Sequence, residues 1–326
     1  MHNFISEDDI EQAILSKLKA EPFEYDILIC DADPSKRDDL NDGTGRNSKK
    51  ECVLPDVMLS SLKRINPTIE EDKIKEIVKT LRQDYTGTDI VDTNYKLYRQ
   101  IRNNIKITVR RNGKEDFDFV KLIDFEHPKN NTFTAVSQMW IQGRVYYRRP
   151  DILIFVNGMP LVFIELKNSI VKVEEAYNKN LKDYMRDIPN LFAFNQICVL
   201  SNGLETKLGA FNATYDYFFE WLKVDSEKEK LDREAILAAD NVKDSSVRYF
   251  VDGLLNKDRL IDYIENFILF ENQRIKIIAK NHQYLGVNNL MESVGNRKEL
   301  NGKLGVFWHT QGSGKSYSMV MFARKV

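Results

Sequence analysis

The hydrophobic and polar positions of the chain repeat with two different periods, and the change falls near residue 105. Before that point, apolar residues recur about every three to four positions, a spacing typical of amphipathic helices. Ser6, followed by three acidic residues, predicts a helix N-terminus, and residues 56–85 predict further helix. Residues 33–50 are polar and rich in turn-forming side chains, which predicts a loop.

Beyond residue 105 the pattern alternates between apolar and polar side chains, as expected for β-strands. The first alternating segment predicts a hairpin that turns at Asn112-Gly113. Further predicted elements are strands over 133–141 and 196–203 and a helix over 174–187. Residues 1–220 therefore predict a mixed α/β domain in which helices flank a small sheet.

The most hydrophobic segment is residues 149–167, RPDILIFVNGMPLVFIELK, yet it contains two carboxylates and an ammonium group. It predicts a second hairpin, which turns at its Asn-Gly pair. Side chains alternate along a strand, so Glu165 and Lys167 share one face, and the hairpin brings Asp151 to the same end. An unpartnered buried carboxylate costs on the order of several kcal/mol, so these groups form either a structural ion pair or a cation site.

The functional alternative is a site for a divalent cation. Carboxylates and backbone carbonyl groups are the ligands that Mg²⁺ prefers, so Asp151, Glu165 and the carbonyl group of Leu166 would hold the ion. The ion would stabilise the charge on a scissile phosphate and activate a water molecule. Lys167 would orient or deprotonate that water molecule.

The same residues match a known pattern. Asp151, Glu165 and Lys167 stand in the string RPD…ExK, which resembles the PD-(D/E)xK nuclease superfamily. Four longer segments closely resemble the nuclease domain of type I restriction endonuclease R subunits: RRPDILIFVNGMPLVFIELKNS, VKLIDFEHPKNNTF, VSQMWIQG and IPNLFAFNQICVLSNGLETKLGAF. The agreement covers roughly residues 100–215. It implies a restriction-endonuclease-like fold in which Asp151 and Glu165 bind the metal and Lys167 is the catalytic lysine.

The resemblance also implies site residues outside the hairpin. Family members carry a Gln-x-x-x-Tyr element on the following helix, and the matching positions here are Asn180 and Tyr184, on one helical face. Asn180 departs from the usual glutamine, and its amide reaches less far. A glutamate on the first helix recurs in such nucleases, and Glu11 is the candidate. The alternatives are a core tyrosine at Tyr184 and a solvated helix acid at Glu11.

A second motif lies at residues 310–316, TQGSGKS. The preceding GVFW predicts a strand and the following SYSMVMFARK a helix, which is the setting of a phosphate-binding loop. Backbone N–H groups would cradle phosphates, the lysine would reach the β- and γ-phosphates of ATP, and the second serine would bind Mg²⁺. The candidate nucleotide-binding residues are Gly312, Ser313, Gly314, Lys315 and Ser316. His309 replaces the first glycine of the full pattern, and a flexible turn is the alternative.

Upstream of the loop, IIAKNHQYLGVNNL resembles the segment that precedes the motor of these R subunits. In superfamily 2 helicases a glutamine before the loop reads the adenine edge; Gln283 is the candidate, and an exposed helix glutamine is the alternative. The resemblance implies the truncated beginning of a RecA-like P-loop domain. Since no downstream acidic motif and no second RecA-like lobe follow, we expect the N-terminal part of a longer subunit that does not hydrolyse ATP alone.

These patterns divide the chain into three parts. Residues 1–222 are the predicted PD-(D/E)xK endonuclease domain, residues 223–245 a charged linker helix, and residues 246–326 a partial helicase-like ATP-binding domain. The net charge of −1 supplies no overall basic field, so DNA phosphates would meet local basic residues. The candidates, which are equally readable as solvated charges, are Arg144, Arg148, Arg149, Lys179 and Lys182.

Composition limits the remaining function classes. The three cysteines and four histidines are scattered, which indicates neither a disulfide framework nor a zinc site. No signal core and no run of about 18 apolar residues occurs, so we expect a cytoplasmic protein without a membrane span. The favoured function is the Mg²⁺-dependent DNA-cleaving subunit of a type I restriction-modification enzyme, acting on double-stranded DNA with methyltransferase and specificity subunits and coupled to ATP-driven translocation. The alternatives are a cleavage-inactive ATPase or helicase fragment and a docking module for partner subunits.

Overall fold

The computed structural model describes residues 4–111, 113–239 and 241–326. The helices in chain order are α1 (Glu7–Lys19), α2 (Pro55–Ile65), α3 (Glu71–Leu81), α4 (Ile90–Asn103), α5 (Val173–Glu175), α6 (Lys182–Asp187), α7 (Arg233–Leu237), α8 (Ser246–Leu254), α9 (Lys257–Asn266), α10 (Asn281–Gly295) and α11 (Lys315–Lys325). A π-helical turn, Ala176–Leu181, joins α5 to α6. Short 3-10 helices are Pro34–Lys36, Pro128–Asn130, Pro189–Ala193, Tyr215–Tyr217 and Val242–Asp244.

Seven strands form one mixed sheet in the order β1-β4-β7-β8-β9-β10-β11. The strands in chain order are β1 (Asp26–Ile29), β2 (Ile105–Arg111), β3 (Lys114–Val120), β4 (Phe133–Ser137), β5 (Ile141–Gln142), β6 (Tyr147–Arg148), β7 (Ile152–Val156), β8 (Met159–Leu166), β9 (Ile197–Ser201), β10 (Thr206–Gly209), β11 (Phe219–Glu220), β12 (Ile268–Glu271) and β13 (Ile275–Ile278). The pairs β1/β4 and β8/β9 are parallel and the other neighbours are antiparallel. The predicted mixed α/β fold is confirmed, and every residue of the central strand β8 is buried.

Helix α1 begins where the sequence predicts. The Ser6 hydroxyl accepts a hydrogen bond from the Asp9 backbone N–H at 3.1 Å, and the Asp9 carboxylate accepts one from the Ser6 backbone N–H at 3.1 Å. This reciprocal pair satisfies two N–H groups at the helix start that would otherwise lack partners. Residues 56–85 form two helices, α2 and α3, as their periodicity indicates, whereas α4 is absent from the sequence-based prediction.

The apolar hairpin β7–β8 turns at Asn157-Gly158, as predicted. The φ angle is 48° at Asn157 and 78° at Gly158, and positive values at both central residues match the twist of the flanking strands. The turn is buried under α2, where the Gly158 carbonyl group accepts a hydrogen bond from the Leu54 backbone N–H at 2.9 Å. A Cβ atom on Gly158 would lie 2.5 Å from the Leu54 carbonyl oxygen. Glycine is therefore required here by both its conformation and its surroundings.

The pairing of β7 with β8 changes register once. Phe155 faces Pro160, but the preceding residue faces Val162, so Leu161 is an extra residue in β8 and forms a β-bulge. The Leu161 carbonyl group accepts a hydrogen bond from the Gln196 backbone N–H at 2.7 Å, next to β9. The bulge offsets the remainder of the hairpin by one residue.

Two apolar cores cover the two faces of the sheet. One contains helices α1 to α4, alternate residues of the hairpin such as Ile152 and Ile164, and residues of α8, α9 and α10. The other contains Phe163 and residues of the π-helical turn and α6, including Tyr184. Residues on both sides of segment 223–245 thus share one core, and the predicted division into three parts stays a prediction.

The charged segment 223–245 differs from the single linker helix predicted for it. It contains turns and only short helical segments, α7 and Val242–Asp244. The physical reason is that its acidic side chains bind the backbone locally, which competes with helix formation. The Glu229 carboxylate, for example, accepts hydrogen bonds from the backbone N–H groups of Val224, Asp225 and Ser226 at 2.9, 2.5 and 2.6 Å.

The strand predicted at residues 305–308, GVFW, is wrong. In the described part of the chain these residues pair with no strand, and Val306 and Trp308 are 89% and 76% exposed. A strand is stable only when its backbone groups find a ladder partner, and an apolar pattern by itself does not provide one. Helix α11 does follow the glycine loop as predicted. A RecA-like domain stays a prediction.

Two further predicted elements are confirmed with local differences. Strands β2 and β3 form a two-stranded sheet of their own, and Asn112 of their predicted turn lies outside the described residues. The helix predicted over 174–187 is present, with the π-helical turn inside it. Among the described residues, none of the helices is both long and apolar enough to span a membrane.

Candidate active site

Asp151, Glu165 and Lys167 lie together at the open end of the β7–β8 hairpin. The last pair of the β7–β8 ladder is Ile152 with Ile164, and extending this register by one residue places Asp151 opposite Glu165. The Leu166 backbone N–H donates to Asp151 Oδ2 at 2.7 Å, and Lys167 Nζ donates to Glu165 Oε1 at 3.0 Å. The structure thus brings the three residues predicted from the hairpin into one cluster.

Strand β9 supports the cluster from the other edge of β8. The Lys167 backbone N–H donates to the Ser201 carbonyl oxygen at 2.8 Å, which extends the parallel β8/β9 ladder one residue past Leu166. Because β8 is paired on both edges, Glu165 keeps its face and its register.

Burial makes both carboxyl groups weaker acids. Glu165 is 2% exposed, and its burial, followed by the nearby charge of Asp151, raises the pKa of Glu165 to about 8. Burial also raises the pKa of Asp151 to about 6, against the opposing effect of the hydrogen bond from the Leu166 N–H. A divalent cation bound at the same place would favour the charged form of both groups and so oppose this effect.

Lys167 keeps its positive charge in this cluster. Burial by itself lowers the pKa of the ammonium group, but the surrounding carboxylates, with Glu165 first, raise it above its usual value. Nζ also donates to the Leu166 carbonyl oxygen at 2.6 Å. A protonated lysine orients a water molecule and stabilises negative charge, but it does not remove a proton. Which of the two roles expected for Lys167 applies stays a prediction.

Helix α1 brings Glu11 to the same cluster. Glu11 is 7% exposed and accepts hydrogen bonds from the Ser137 hydroxyl and, at 2.6 Å, from Gln138 Nε2. Its charge contributes to the raised pKa of Asp151. Glu11 therefore lies in the cluster, and the alternative of a solvated helix acid does not describe it.

Ser137 and Gln138 contact the cluster but are absent from the sequence-based prediction. Strand β4 ends at Ser137, inside the segment 133–141 that was predicted as one strand. The available signal is this polar pair, which interrupts a mostly apolar run shortly before the hairpin. Gln138 has a φ of 58°, a conformation that periodicity does not reveal.

The π-helical turn presents Asn180 beside Tyr184 at the edge of the cluster. The Tyr184 hydroxyl donates to the Arg149 carbonyl oxygen at 3.1 Å. Burial, followed by the charges of Glu165 and Asp151, raises the pKa of Tyr184 well above its usual value. The Asn180 side chain lies within hydrogen-bonding reach of the same hydroxyl. Tyr184 is thus both a core residue and a neighbour of the two acids.

The donor atoms of the cluster suit a hard divalent cation. Glu165 Oε2 is buried and has no hydrogen-bond partner of ordinary geometry among the described residues. Asp151 Oδ1 lies 3.5 Å from Gln138 Nε2, which is a long contact. The candidate ligands are carboxylate oxygens and, if its hydrogen bond from Lys167 Nζ is exchanged, the Leu166 carbonyl group, the kind of set that Mg²⁺ prefers. The residues therefore fit the expected ion, whose binding stays a prediction.

Most of the basic residues considered for phosphate contacts are engaged within the chain. Arg148 pairs with Asp187 and Asp183, Arg149 with the Ala32 carbonyl group, Lys179 with Glu175, and Lys182 with Asn178. The ion pair of Lys179 with Glu175 is exposed and contributes little free energy, so its exchange for a phosphate costs little, whereas Arg148 pairs with the buried carboxylate of Asp187. Arg144 is exposed in the loop between β5 and β6.

The lysine of the glycine loop, residues 310–316, bonds to neighbouring backbone carbonyl groups. Lys315 is exposed, and its Nζ donates to the carbonyl oxygens of His309 and Thr310 at 2.8 and 3.1 Å. Ser316 is exposed as well. Phosphate binding would exchange these neutral hydrogen bonds for stronger, charge-assisted ones.

Gln283 lies against the glycine loop and is 3% exposed, which contradicts the alternative of an exposed helix glutamine. Its Nε2 donates to the carbonyl oxygens of Gly314 and Ser313 at 3.0 and 3.3 Å, and its Oε1 accepts from the Lys280 backbone N–H at 2.8 Å. Since both ends of the amide are engaged, contact with an adenine would require these hydrogen bonds to be exchanged. Its role in adenine recognition stays a prediction.

Two family models match the chain, one in each of these regions. A model described as type I restriction enzyme R protein N terminus matches residues 4–217, which contain the whole carboxylate cluster. A model described as SWI2/SNF2 ATPase matches residues 282–326, which contain Gln283 and the glycine loop.

Curated relatives show the same similarity. The type I restriction enzyme HindI endonuclease subunit of Haemophilus influenzae is 34% identical over 333 aligned positions, covering 99% of this chain and 30% of that protein. A putative type I restriction enzyme MjaIXP endonuclease subunit of Methanocaldococcus jannaschii is 33% identical over 306 positions, covering 86% of this chain and 28% of that protein. The chain thus spans less than a third of the length of these relatives.

Proposed function

Because the chain belongs to the family of type I restriction enzyme R proteins, we propose that Asp151, Glu165 and Lys167 form an Mg²⁺-dependent site that hydrolyses phosphodiester bonds of double-stranded DNA. One observation carries the proposal: Glu165 is buried beside a second carboxylate, and one of its oxygen atoms has no partner among the described residues. The Lys167 ammonium offsets part of the cost of burying the two carboxylates, and a bound divalent cation would offset more of it.

In this proposal the side chains have separate roles. Asp151, Glu165 and the Leu166 carbonyl group hold the cation, which when bound activates a water ligand and offsets phosphate charge. Lys167, held beside Glu165, orients the attacking water molecule and stabilises the charge that develops on the phosphate. Tyr184 packs against the acids and excludes water from the buried side.

We extend the proposal to the full-length subunit. There the glycine loop binds ATP through Lys315 and Ser316, and ATP-driven translocation along DNA precedes cleavage. Methyltransferase and specificity subunits of the same restriction-modification complex would supply sequence recognition. Support comes from the SWI2/SNF2 ATPase match to residues 282–326 and from relatives that are endonuclease subunits of type I restriction enzymes.

Lys167→Ala in the full-length protein, assembled with its partner subunits, tests the proposal. We expect DNA cleavage to fall about 100-fold or more, because a charge-stabilising donor is lost, while ATP hydrolysis stays unchanged. Lys315→Ala should abolish ATP hydrolysis and, with it, the cleavage that depends on translocation. Lys79→Ala, an exposed lysine of α3, is the matched control and should leave both activities intact.

The other outcomes separate the remaining functions. Equal loss of both activities in the Lys167→Ala protein would contradict an independent cleavage site. Normal cleavage in that variant would favour a docking module. A complete absence of cleavage by the unmodified complex, with ATP hydrolysis retained, would favour a cleavage-inactive ATPase.

A further inference from the structure

Gln138 connects two carboxylates of the site, Glu11 and Asp151, and has no role in the proposal above. Its Nε2 donates to Glu11 Oε2 at 2.6 Å and lies 3.5 Å from Asp151 Oδ1. Its backbone N–H donates to the Asp151 carbonyl oxygen at 2.9 Å. A single residue thus contacts both the main chain and the side chain of Asp151 and also reaches the acid on α1.

The backbone of Gln138 is left-handed, with a φ of 58°, directly after β4 ends. Residues with a Cβ atom adopt this region only at an energetic cost, and asparagine or glycine enters it more easily. At Gln138 this conformation accompanies a side chain that contacts two carboxylates of the site, and that contact points to a function for the side chain.

The amide oxygen of Gln138, Oε1, is buried and has no hydrogen-bond partner among the described residues. Glu165 Oε2 is in the same condition. Buried amide and carboxylate oxygens nearly always have a partner. Unpartnered buried atoms also occur elsewhere among the described residues, for example Asn190 Oδ1, but Gln138 and Glu165 belong to the same carboxylate cluster. Binding of one cation by both oxygen atoms would account for this pair.

We propose that Gln138 is a further residue of the cation site, an inference that rests on the proposed function. In the metal-free chain its NH₂ group holds the like charges of Glu11 and Asp151 in one arrangement. Its Oε1 then serves the same divalent cation as a neutral ligand, a role that side-chain amide oxygens fill in sites for hard cations. A neutral ligand adds coordination without adding repulsion between carboxylates.

Binding of Mn²⁺ to the 326-residue chain tests this role, because calorimetric titration and Mn²⁺-dependent melting require no cleavage. Gln138→Leu removes both polar atoms of the amide, and we expect the affinity for Mn²⁺ to fall about tenfold or more, as it does for residues that support metal ligands. Gln138→Glu retains an oxygen ligand and adds a fourth acidic side chain to Glu11, Asp151 and Glu165. We expect its melting temperature to fall without Mn²⁺ and to rise by more than that of the unmodified chain when Mn²⁺ is added.

Gln273→Leu is the matched control. Gln273 is also left-handed, with a φ of 62°, but it is exposed in the turn between β12 and β13, so its loss should leave Mn²⁺ binding unchanged. A Gln138→Leu chain that binds Mn²⁺ as tightly as the unmodified chain would overturn the inference. So would a Gln138→Glu chain whose stability Mn²⁺ does not restore, and this second variant decides if Gln138→Leu fails to fold. Either result would mean that Gln138 has only a structural role, linking α1 to the sheet through its hydrogen bond to Glu11.

Asp151→Ala separates failure of this inference from failure of the proposed function. If the unmodified chain binds Mn²⁺ and the Asp151→Ala chain does not, the cation site exists and the Gln138 variants judge the inference alone. If the unmodified chain does not bind Mn²⁺, or Asp151→Ala binds it equally well, the proposed site fails and the inference fails with it.

Discussion

Two lysines that carry predicted chemistry follow segments of similar apolar pattern, yet their surroundings differ. Lys167 directly follows β8, which is paired with β7 on one edge and β9 on the other. Lys315 follows residues 305–308, which pair with no strand in the described ranges. The Lys167 side chain is 16% exposed and contacts a buried carboxylate, whereas Lys315 is exposed and donates to carbonyl groups of its own loop.

This difference shows what fixes the geometry of a site before its ligand binds. A strand paired on both edges holds Glu165 on one face even though burial of a carboxyl group is unfavourable. The glycine loop has no such support, and its hydrogen bonds are ones that a phosphate replaces readily. The hairpin site is therefore preorganised, whereas the glycine loop adapts to what it binds.

The largest difference between the hairpin and the glycine loop is expected when alanine replaces Gly158 or Gly312, two glycines with a positive φ. The φ angle is 78° at Gly158 and 79° at Gly312, but a Cβ atom would lie 2.5 Å from the Leu54 carbonyl oxygen at the first and meet nothing within 4 Å at the second. Backbone strain applies to both, and the steric conflict only to Gly158, so Gly158→Ala should lower the free energy of unfolding by about 3 kcal/mol. Gly312→Ala should hardly change global unfolding, since an exposed loop opens locally. Urea titrations measure both, and equal losses would contradict the comparison.

A third lysine, Lys276 of β13, shows that burial alone does not create a site. Its Nζ donates to Asn94 Oδ1, the Asn195 carbonyl oxygen and Gln196 Oε1 at 3.1, 2.5 and 2.8 Å, all of them neutral acceptors. Burial lowers the pKa of Lys276 well below 10.5. Between that lowered value and 10.5 the unfolded chain binds more protons than the folded chain, so this group makes stability rise with pH.

Lys276→Met should remove this pH dependence and leave buried acceptors without a donor. We expect the free energy of unfolding to fall by about 1–3 kcal/mol. The difference in free energy of unfolding between the variant and the unmodified protein should increase from about pH 7 to about pH 10, because only the unmodified protein gains stability from Lys276 over that range. Urea midpoints at the two pH values measure this difference. A difference that does not change with pH would mean that Lys276 stays charged in the fold.

The smallest effect is expected at the edge of the hairpin site, where Asn180 stands in place of the family's usual glutamine. Asn180 already reaches the Tyr184 hydroxyl from the π-helical turn, so Asn180→Gln should change the cleavage rate of the full-length protein by less than about twofold. Asn180→Leu removes the amide and should slow cleavage about fivefold, the equivalent of one hydrogen bond. A large increase in cleavage rate in the Asn180→Gln protein would show that the Asn180 side chain is not preorganised in the way that the hairpin residues are.

Sequence patterns predict the parts of the molecule that local interactions decide. The cap at Ser6 and the β7–β8 hairpin depend on residues a few positions apart, so the spacing of those residues in the sequence predicts both elements. The alternation of side chains and the predicted turn placed Asp151, Glu165 and Lys167 at one end of the hairpin, and the structure brings them together there.

The features that were missed depend on distant contacts. Gln138 donates a hydrogen bond to Glu11, which lies 127 residues away in the sequence, and no local pattern predicts that contact. The strand expected at residues 305–308 has an apolar pattern but no neighbour to pair with in the described chain. Charge density over residues 223–245 does not distinguish a helix from turns that bind acidic side chains.

The bulge at Leu161 decides which residues of β7 and β8 face each other at the open end of the hairpin. With the bulge, the register places Asp151 opposite Glu165; regular pairing of the same residues without a bulge would place Asp151 opposite Ile164. Deleting Leu161 would remove the bulge but keep Ile154 opposite Val162, so Asp151 would still face Glu165. Inserting a residue between the acids would instead require a second bulge to keep them opposite each other. The hairpin should therefore tolerate loss of the bulged residue better than a single insertion.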